Sequence, residues 1–418
     1  MSWWRRLGQN RLLDVGALVI ALLAVVKIAV VLPKQVKEYD FAHYYVWSRL
    51  LVEGKDPYLT PAEPSYAQYG FVFYKVRPTA TNPPPLLWLF VPFALLTPPQ
   101  AFAGWTFVQA ASLCLILWLT RRLLWPRLSA RGWRFMCAGA VASESVYLHL
   151  CSGQVQLLLM ALLLAAYALH RQRRDTLACL VVAAAGLLKP YIFFLLPWFL
   201  WRGAGSTRAR TGRIVSVLGF SALVVVITNV HLWQHLIQRA LPVVTSYAMG
   251  PFLNFSLPSF VANVGRIVHS PTPLHIWWTT GELVGLGLIV LGYILCWRRS
   301  GDPEAEFCLL CIAMLAGNMV AWGHYFVFLI FPMAVGAVRL AANPSAIRII
   351  GFGLVIMAVN DLDDWTARLY EGHMLAGLPL NYVPLYGLLA MTAFFANELR
   401  VRRPNERSIG DPIPAGER

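Results

Sequence analysis

The chain has 418 residues and a mean hydropathy of +0.58, with 58% hydrophobic and 13% charged residues. This balance excludes a water-soluble enzyme, because soluble domains carry about 25% charged residues. The apolar residues come in long unbroken runs, which excludes a transmembrane β-barrel, whose strands alternate apolar and polar residues. The predicted fold class is therefore all-α, a polytopic membrane protein, since helices satisfy their own backbone hydrogen bonds in hydrocarbon.

The net charge of +15 could suggest a nucleic-acid partner, but the positions of the basic residues favour a role in membrane topology, and no nucleic-acid partner is expected. The arginines lie in short clusters at the ends of apolar runs, and Lys and Arg collect in the cytoplasmic loops of membrane proteins. Seven clusters predict about twelve spans with both termini in the cytoplasm. The clusters are 5–11, 121–134, 171–174, 202–213, 298–299, 339–348 and 400–407.

The first predicted span, residues 12–32, approaches the ~20 residues that cross a bilayer. It lacks a small-residue cleavage site, so we interpret it as a membrane helix and not as a signal peptide. The proline-bracketed stretch 85–96 is too short to cross and is predicted to lie at the outer interface as a juxtamembrane helix. Further spans are predicted at 101–120, 134–150, 154–170, 176–188, 190–201, 213–231, 276–297, 305–320, 323–341, 346–360 and 381–398.

Lys189-Pro190 separates the short runs 176–188 and 190–201, which are predicted to meet inside the membrane as broken helices that line a cavity. Three hydrophilic stretches are predicted outside, at 33–84, 231–275 and 361–380. The whole of 1–398 is interpreted as one catalytic domain, and 399–418 as a disordered cytoplasmic tail. Polar residues then converge on the outer face: Asp40, His43, Asp56, Asn82, Gln154, Gln156, Asn254, Ser256 and His324, with Lys189 reaching up from the broken pair.

Two charged residues stand out within this set. Asp40 follows the first span directly, where a carboxylate can accept a proton from an incoming hydroxyl; the alternative is a hydrated loop or a helix cap. Lys189 interrupts an apolar run, and such a residue is costly unless it serves a polar cavity. The alternatives for Lys189 are snorkelling to the interface and a structural pair with Glu144.

A series of motifs resembles the polyprenol-phosphate-mannose-dependent mannosyltransferases, glycosyltransferase family 87 of the GT-C superfamily. The series opens with D-F-x-x-Y-Y and G-x-D-P-Y within residues 40–58, followed by N-P-P-P-L at 82–86. It continues in family order with S-G-Q-V-Q at 152–156, G-L-L-K-P at 186–190, N-F-S-L at 254–257 and A-W-G-H-Y at 321–325. The chain departs from the common family pattern at Gln156, Phe255, Ala321 and Gly323, which leaves the sugar open.

The resemblance implies inverting transfer of a hexose, mannose by family default, at the outer face of the cell membrane. The donor would be a polyprenyl-monophosphate sugar and the acceptor a hydroxyl of a glycolipid or glycan. Asp40 maps onto the catalytic base, and neither a cofactor nor a metal is expected. The residues that we expect to bind the donor phosphate or sugar are Lys189, His324, Arg266, Arg77, His43, Tyr44, Gln154 and Asn254.

Some assignments stay open at this stage. Glu144 and Glu282 fall within predicted spans, where they would contact a sugar or form structural contacts. The acidic residues between 361 and 371 match no calcium-loop spacing and are predicted to be solvated. The alternative function is a transporter or flippase of lipid-linked sugars. Such proteins often contain an internal repeat with a broken helix in each half, whereas this sequence shows one break and no repeat. A non-catalytic scaffold is the third alternative and would tolerate loss of the Asp40 charge.

Overall fold

A computed structural model of the chain describes residues 11–37, 39–71, 79–203, 205–248, 254–268, 270–299, 301–360 and 382–399. Helices, turns and loops make up these residues, and none of the described residues lies in a β-strand. The all-α prediction is confirmed.

The α-helices of the described residues follow one another with short connections. In chain order they are α1 (Arg11–Val31), α2 (Tyr39–Val52), α3 (Ala62–Gln68), α4 (Pro84–Ala94), α5 (Pro98–Leu124), α6 (Ala130–Ala142), α7 (Glu144–Ser152), α8 (Gln156–Arg171), α9 (Asp175–Leu188), α10 (Leu196–Arg202), α11 (Thr207–Ile227), α12 (Val230–His235), α13 (Leu241–Ala248), α14 (Leu257–Ile267), α15 (Leu274–Arg298), α16 (Pro303–Gly317), α17 (Ile330–Ala342), α18 (Ala346–Asn360) and α19 (Val383–Glu398). A π turn, Leu236–Ala240, joins α12 to α13, and 3-10 helices occupy Leu32–Lys37, Pro190–Leu195 and Gly323–Leu329.

Within the described ranges, five helical segments are long and apolar enough to cross a membrane: Arg11–Lys37, Pro98–Leu124, Thr207–Ile227, Leu274–Arg298 and Gly323–Ala342. A sixth is added if α7 and α8, bent by 117° against each other, count as one broken span. The chain is therefore a helical membrane protein, but the predicted number of about twelve spans is not confirmed. Several predicted spans are short helices; α9, for example, has 14 residues, or about 21 Å against a hydrocarbon core of about 30 Å.

The predicted span 134–150 is wrong as a single helix. The chain is extended at Ser143, whose side chain accepts a hydrogen bond from the Val146 amide and so caps α7. A serine in this position offers the backbone an alternative to continuing the helix. The stretch 33–84, predicted as an outer loop, contains the helices α2 and α3.

Ion pairs gather the arginine clusters at one end of the helices. They join Arg131 to Asp14, Arg127 and Arg339 to Glu304, Arg339 and Arg348 to Glu398, Arg202 to Glu306, and Arg213 to Asp175. Each pair links segments that are far apart in sequence, so clusters predicted to share one side of the membrane also meet in space.

The direction of the helices places Lys189 and His324 at the end opposite to the arginine ion pairs. Helix α9 runs from Asp175, within the ion-pair network, to Lys189 at its C-cap. The segment Gly323–Ala342 likewise runs from His324 to Arg339. The core between the two ends is centred on α16, which is buried along nearly its whole length, whereas α1 and α11 expose most of their apolar residues.

Candidate functional site

The Asp40 carboxylate makes no hydrogen bond or ion pair to another residue of the described part of the chain. It lies in the first turn of α2 and is half-buried. The helix N-terminus favours the negative charge there. Asp40 is thus a carboxylate that is free to bind a hydroxyl group of a ligand.

The α7–α8 elbow fixes the first turn of α2. Gly153 ends α7 with φ +71°, and a Cβ atom added to it would lie 2.8 Å from Cβ of Phe41. The carbonyl oxygen of Gly153 accepts a hydrogen bond of 2.7 Å from Nε1 of Trp105. The S-G-Q-V-Q motif therefore needs its glycine both for the left-handed turn and for the close approach of the residue next to Asp40.

Tyr44 links Asp40 to the rest of the site. It follows Asp40 by four residues and so lies on the same face of α2. Its hydroxyl donates a hydrogen bond of 2.6 Å to Oε1 of Gln154 in the elbow. The Lys189 amine lies 5.9 Å from the centroid of the Tyr44 ring, within the range of a cation–π interaction.

Lys189 can point into the site because helix α9 ends at Leu188, directly before it. Proline disfavours a helical conformation in the residue before it, and Lys189 is extended, with φ −144° and ψ 109°. Its Nζ donates a hydrogen bond of 2.7 Å to Oδ1 of Asn82. The predicted break at Lys189-Pro190 is confirmed.

Asn82 is a site residue whose role the sequence did not reveal. Three prolines follow it, and Pro84 opens α4, a position where a missing amide hydrogen costs nothing. The Asn82 carbonyl oxygen accepts a hydrogen bond of 2.6 Å from the Tyr58 hydroxyl. Burial raises the pKa of Tyr58, so that hydroxyl remains a donor at neutral pH. The N-P-P-P-L motif thereby orients the amide that holds Lys189.

His324 completes the cluster. It is buried near the start of the 3-10 helix Gly323–Leu329, and both Asp40 and Lys189 interact electrostatically with its imidazole. The rings of Trp322 and Tyr325 flank it, with centroid distances of 5.6 and 5.0 Å. Three residues predicted from distant motifs are thus brought to one place.

Asn254 fastens the chain that precedes His324. It is fully buried, its Nδ2 donates to the carbonyl oxygen of Met319 and its Oδ1 accepts from the amide of Ala321, each at 2.8 Å. The Phe255 amide adds a bond of 2.9 Å to the Ala321 carbonyl oxygen. The N-F-S-L motif therefore positions His324, while contact of Asn254 with a donor stays a prediction.

His43 is buried next to the cluster and contacts protein groups through both ring nitrogens. Nδ1 accepts a hydrogen bond of 2.7 Å from Nε1 of Trp47 and lies 2.8 Å from the Tyr66 hydroxyl. Because an indole only donates, Nδ1 carries no proton, and Nε2 donates to Oγ1 of Thr81 over 2.9 Å. The predicted role of His43 in donor binding stays a prediction.

Of the two predicted arginines, Arg266 contacts Asn263. Its Nη1 donates a hydrogen bond of 3.0 Å to Oδ1 of Asn263, and Nδ2 of Asn263 donates one of 2.8 Å to the Tyr382 hydroxyl. Arg77 lies outside the described residues, as does the acidic group between 361 and 371. The predicted roles of both arginines stay predictions.

The two glutamates of the predicted spans contact other residues. Glu144 lies 3.5 Å from Nζ of Lys27, and Glu282 accepts a hydrogen bond of 2.9 Å from Nε1 of Trp278. The alternative pairing of Lys189 with Glu144 is wrong, because both side chains point to other partners. Within the described ranges no group of three or more His, Cys, Asp or Glu side chains is arranged to hold a metal ion.

The apolar helical fold thus gathers a carboxylate, an amine and an imidazole at one end of its helices. The model of glycosyltransferase family 87 matches residues 80–332, more than half of the chain, and the protein belongs to that family. No curated protein matches the sequence. The matched segment contains Asn82, Lys189 and His324, whereas Asp40 precedes it, so the case for Asp40 depends on the site geometry.

Proposed function

We propose that the protein transfers a hexose, with mannose as the first candidate, from a polyprenyl-monophosphate sugar to a hydroxyl of a glycolipid or glycan acceptor, with inversion. The observation that carries the proposal is the convergence of Asp40, Lys189 and His324, in which the Asp40 carboxylate makes no hydrogen bond to any other described residue.

The reaction is a single displacement. The acceptor oxygen bonds to the anomeric carbon while Asp40 takes the hydroxyl proton. The bond between that carbon and the phosphate oxygen breaks, and its electron pair leaves with the phosphate. The Lys189 amine stabilises the charge that develops on the leaving phosphate. Attack from the face opposite the phosphate inverts the anomeric configuration.

An apolar groove in the structure supports the proposal that the donor is lipid-linked. It has a volume of about 440 Å³ and lies between α6, α17 and α18, with apolar walls that include Phe135, Met333 and Phe352. Phe326 contributes to the groove from the same 3-10 helix that carries His324. An isoprenoid chain is apolar along its length, so this groove suits the tail of a donor whose phosphate lies at Lys189.

The separation of charges supports an outer-face site in the cell membrane with cytoplasmic termini. The paired arginines lie at one end of α9 and of the segment Gly323–Ala342, and Lys189 and His324 lie at the other. Because cytoplasmic ends collect Lys and Arg, the site would face outward.

A donor comparison tests the proposal. Purified protein in lipid nanodiscs, with membrane lipid extract as acceptor, is given labelled polyprenyl-phosphate mannose, polyprenyl-phosphate glucose or a nucleotide-linked mannose. We expect transfer from a lipid-linked donor and none from the nucleotide sugar. Nuclear magnetic resonance of the product should show the anomer opposite to the donor's. Retention of configuration, or transfer from the nucleotide sugar alone, contradicts the proposal.

A further inference from the structure

Three side chains beside Lys189 bury polar atoms that make no hydrogen bond within the described part of the chain. They are both amide atoms of Gln156, the hydroxyl of Tyr191 and Nε2 of His324. Gln156 is 0% exposed, and Tyr191 and His324 are each 9% exposed. A buried donor or acceptor without a partner destabilises the folded protein. Where several such groups lie together beside a charged amine, a ligand or an ordered water would satisfy them.

The three side chains come from different elements and lie close to one another. Gln156 opens α8 just after the elbow, Tyr191 follows the Lys189-Pro190 break, and His324 begins its 3-10 helix. The Gln156 amide lies next to the Tyr191 hydroxyl and interacts with it, but without the distance and angles of a full hydrogen bond. The Tyr325 ring lies between Tyr191 and His324, with its centroid 5.5 Å from that of Tyr191 and 5.0 Å from that of His324.

Close packing holds Tyr191 in this position. A Cβ atom added to Gly186 would lie 2.8 Å from the Phe193 ring, so only glycine lets the 3-10 helix Pro190–Leu195 fold back onto α9. The Tyr191 hydroxyl also interacts electrostatically with Tyr44, which neighbours Lys189. These polar side chains therefore lie near the Lys189 amine.

The chemistry of these groups fits sugar hydroxyls. An amide and a phenol both donate and accept hydrogen bonds, as does each hydroxyl of a sugar ring. A phosphate monoester or diester anion mainly accepts, and it is suited to the charged donor Lys189. One sugar hydroxyl placed between the amide and the phenol would satisfy both.

We propose that Gln156 and Tyr191, with Nε2 of His324, form the subsite that binds the hydroxyls of the transferred sugar, next to a phosphate position at Lys189. This inference rests on the proposed function. It makes Gln156 and Tyr191 specificity-determining residues that distinguish the sugar-bearing lipid from the sugar-free one.

Equilibrium binding without acceptor tests the subsite. Dissociation constants for polyprenyl-phosphate mannose, polyprenyl-phosphate glucose and polyprenyl phosphate are measured in nanodiscs for wild type, Tyr191→Phe and Gln156→Leu. Wild type should bind one sugar-bearing lipid more tightly than polyprenyl phosphate. Each variant should lose about fivefold to tenfold of that preference and keep its affinity for polyprenyl phosphate. Tyr191→Phe removes one oxygen that makes no hydrogen bond to a described residue, so it should fold like wild type.

Tyr167→Phe is the matched control. Tyr167 lies in α8 as well, is fully buried and has a hydroxyl without a described hydrogen bond, but it neighbours Glu304 at the ion-paired end. The Tyr167→Phe variant should show the same preference for the sugar-bearing lipid over polyprenyl phosphate as wild type. If Tyr191→Phe keeps the wild-type preference, or wild type binds all three lipids equally, the subsite is wrong while the proposed function stands. If wild type binds none of the lipids, the proposed donor itself is wrong.

Discussion

At the scale of single residues, the site keeps an acid and a base from neutralising each other. A direct ion pair between Asp40 and Lys189 would satisfy both charges and leave neither for substrate. Lys189 instead bonds to the Asn82 amide, whose oxygen carries only a partial charge. A phosphate with a full negative charge competes well for such an amine. Under the proposed function, this arrangement would let Lys189 bind the donor phosphate while Asp40 stays available as the base.

Loss of the lysine charge should slow the reaction strongly. We expect Lys189→Met to lower kcat/KM by about 10²–10³, because the leaving phosphate loses its cation, and Lys189→Arg to recover part of the loss. Steady-state transfer rates measure both. Lys34→Met, which removes an exposed lysine near the end of α1, is the control and should be neutral. Wild-type rates for Lys189→Met would exclude a role in stabilising the phosphate.

At the scale of elements, the site is built where helices stop. α7 ends at Gly153, α9 ends at Lys189, and a 3-10 helix begins at Gly323. Each break exposes backbone and polar side chains that a continuous helix would bury or point into lipid. Such irregular segments are stable at membrane depth only where protein or a polar cavity surrounds them.

The elbow glycine gives a test of this arrangement. We expect Gly153→Ala to lower the free energy of unfolding by about 1–3 kcal/mol, because of its positive φ and the contact with Phe41. Transfer should fall as well, since α2 carries Asp40. Thermal unfolding in detergent and initial rates measure the two effects.

Gly219→Ala is the control for the elbow variant. Gly219 lies within α11, and an added Cβ atom there meets no neighbouring atom within 4 Å. This substitution should be neutral or stabilise by about 0.5–1 kcal/mol. Equal stability and activity of the two variants would show that the elbow does not position α2.

At the scale of the whole molecule, the two ends of the helices have different tasks. Arg339 is buried and lies between Asp302, Glu304 and Glu398. Arg339→Leu should destabilise the protein, by at most about 3–5 kcal/mol, because it removes the buried cation between Glu304 and Glu398, each of which keeps one other arginine partner. The transfer rate per folded molecule should not change. Arg208→Leu, at an exposed position of α11, is the control; a lower rate for folded Arg339→Leu would contradict a purely structural network.

The orientation of the molecule has its own test. In a cysteine-free background, Glu63→Cys marks the α3 surface, which belongs to the predicted outer stretch, and Arg208→Cys marks the arginine end. Both positions are exposed. A membrane-impermeant maleimide added to intact cells should label Glu63→Cys, and label Arg208→Cys only after permeabilisation. The reverse pattern would place the site in the cytoplasm.

The sequence predicts the helical class, the break at Lys189-Pro190 and the family, because composition, proline and ordered motifs act locally. The positions of the arginine clusters predict that Asp40, Lys189 and His324 share the outer face, and the family resemblance predicts their roles. The bond between Lys189 and Asn82 and the contact of Gln156 with Tyr191 join distant segments, and no local pattern encodes them. The predicted number of spans is not confirmed, because apolar runs do not reveal where a capping residue such as Ser143 ends a helix.

The most direct test of the central claim compares Asp40→Asn with wild type at matched folding. The measurement is transfer of labelled sugar from polyprenyl-phosphate mannose or glucose to membrane lipid extract, together with donor binding. We predict that Asp40→Asn binds donor normally and loses about 10²–10⁴ in kcat. Glu63→Gln, which changes a carboxylate in the first turn of α3, should keep full activity. Equal transfer by Asp40→Asn and wild type would contradict the assignment of Asp40 as the base.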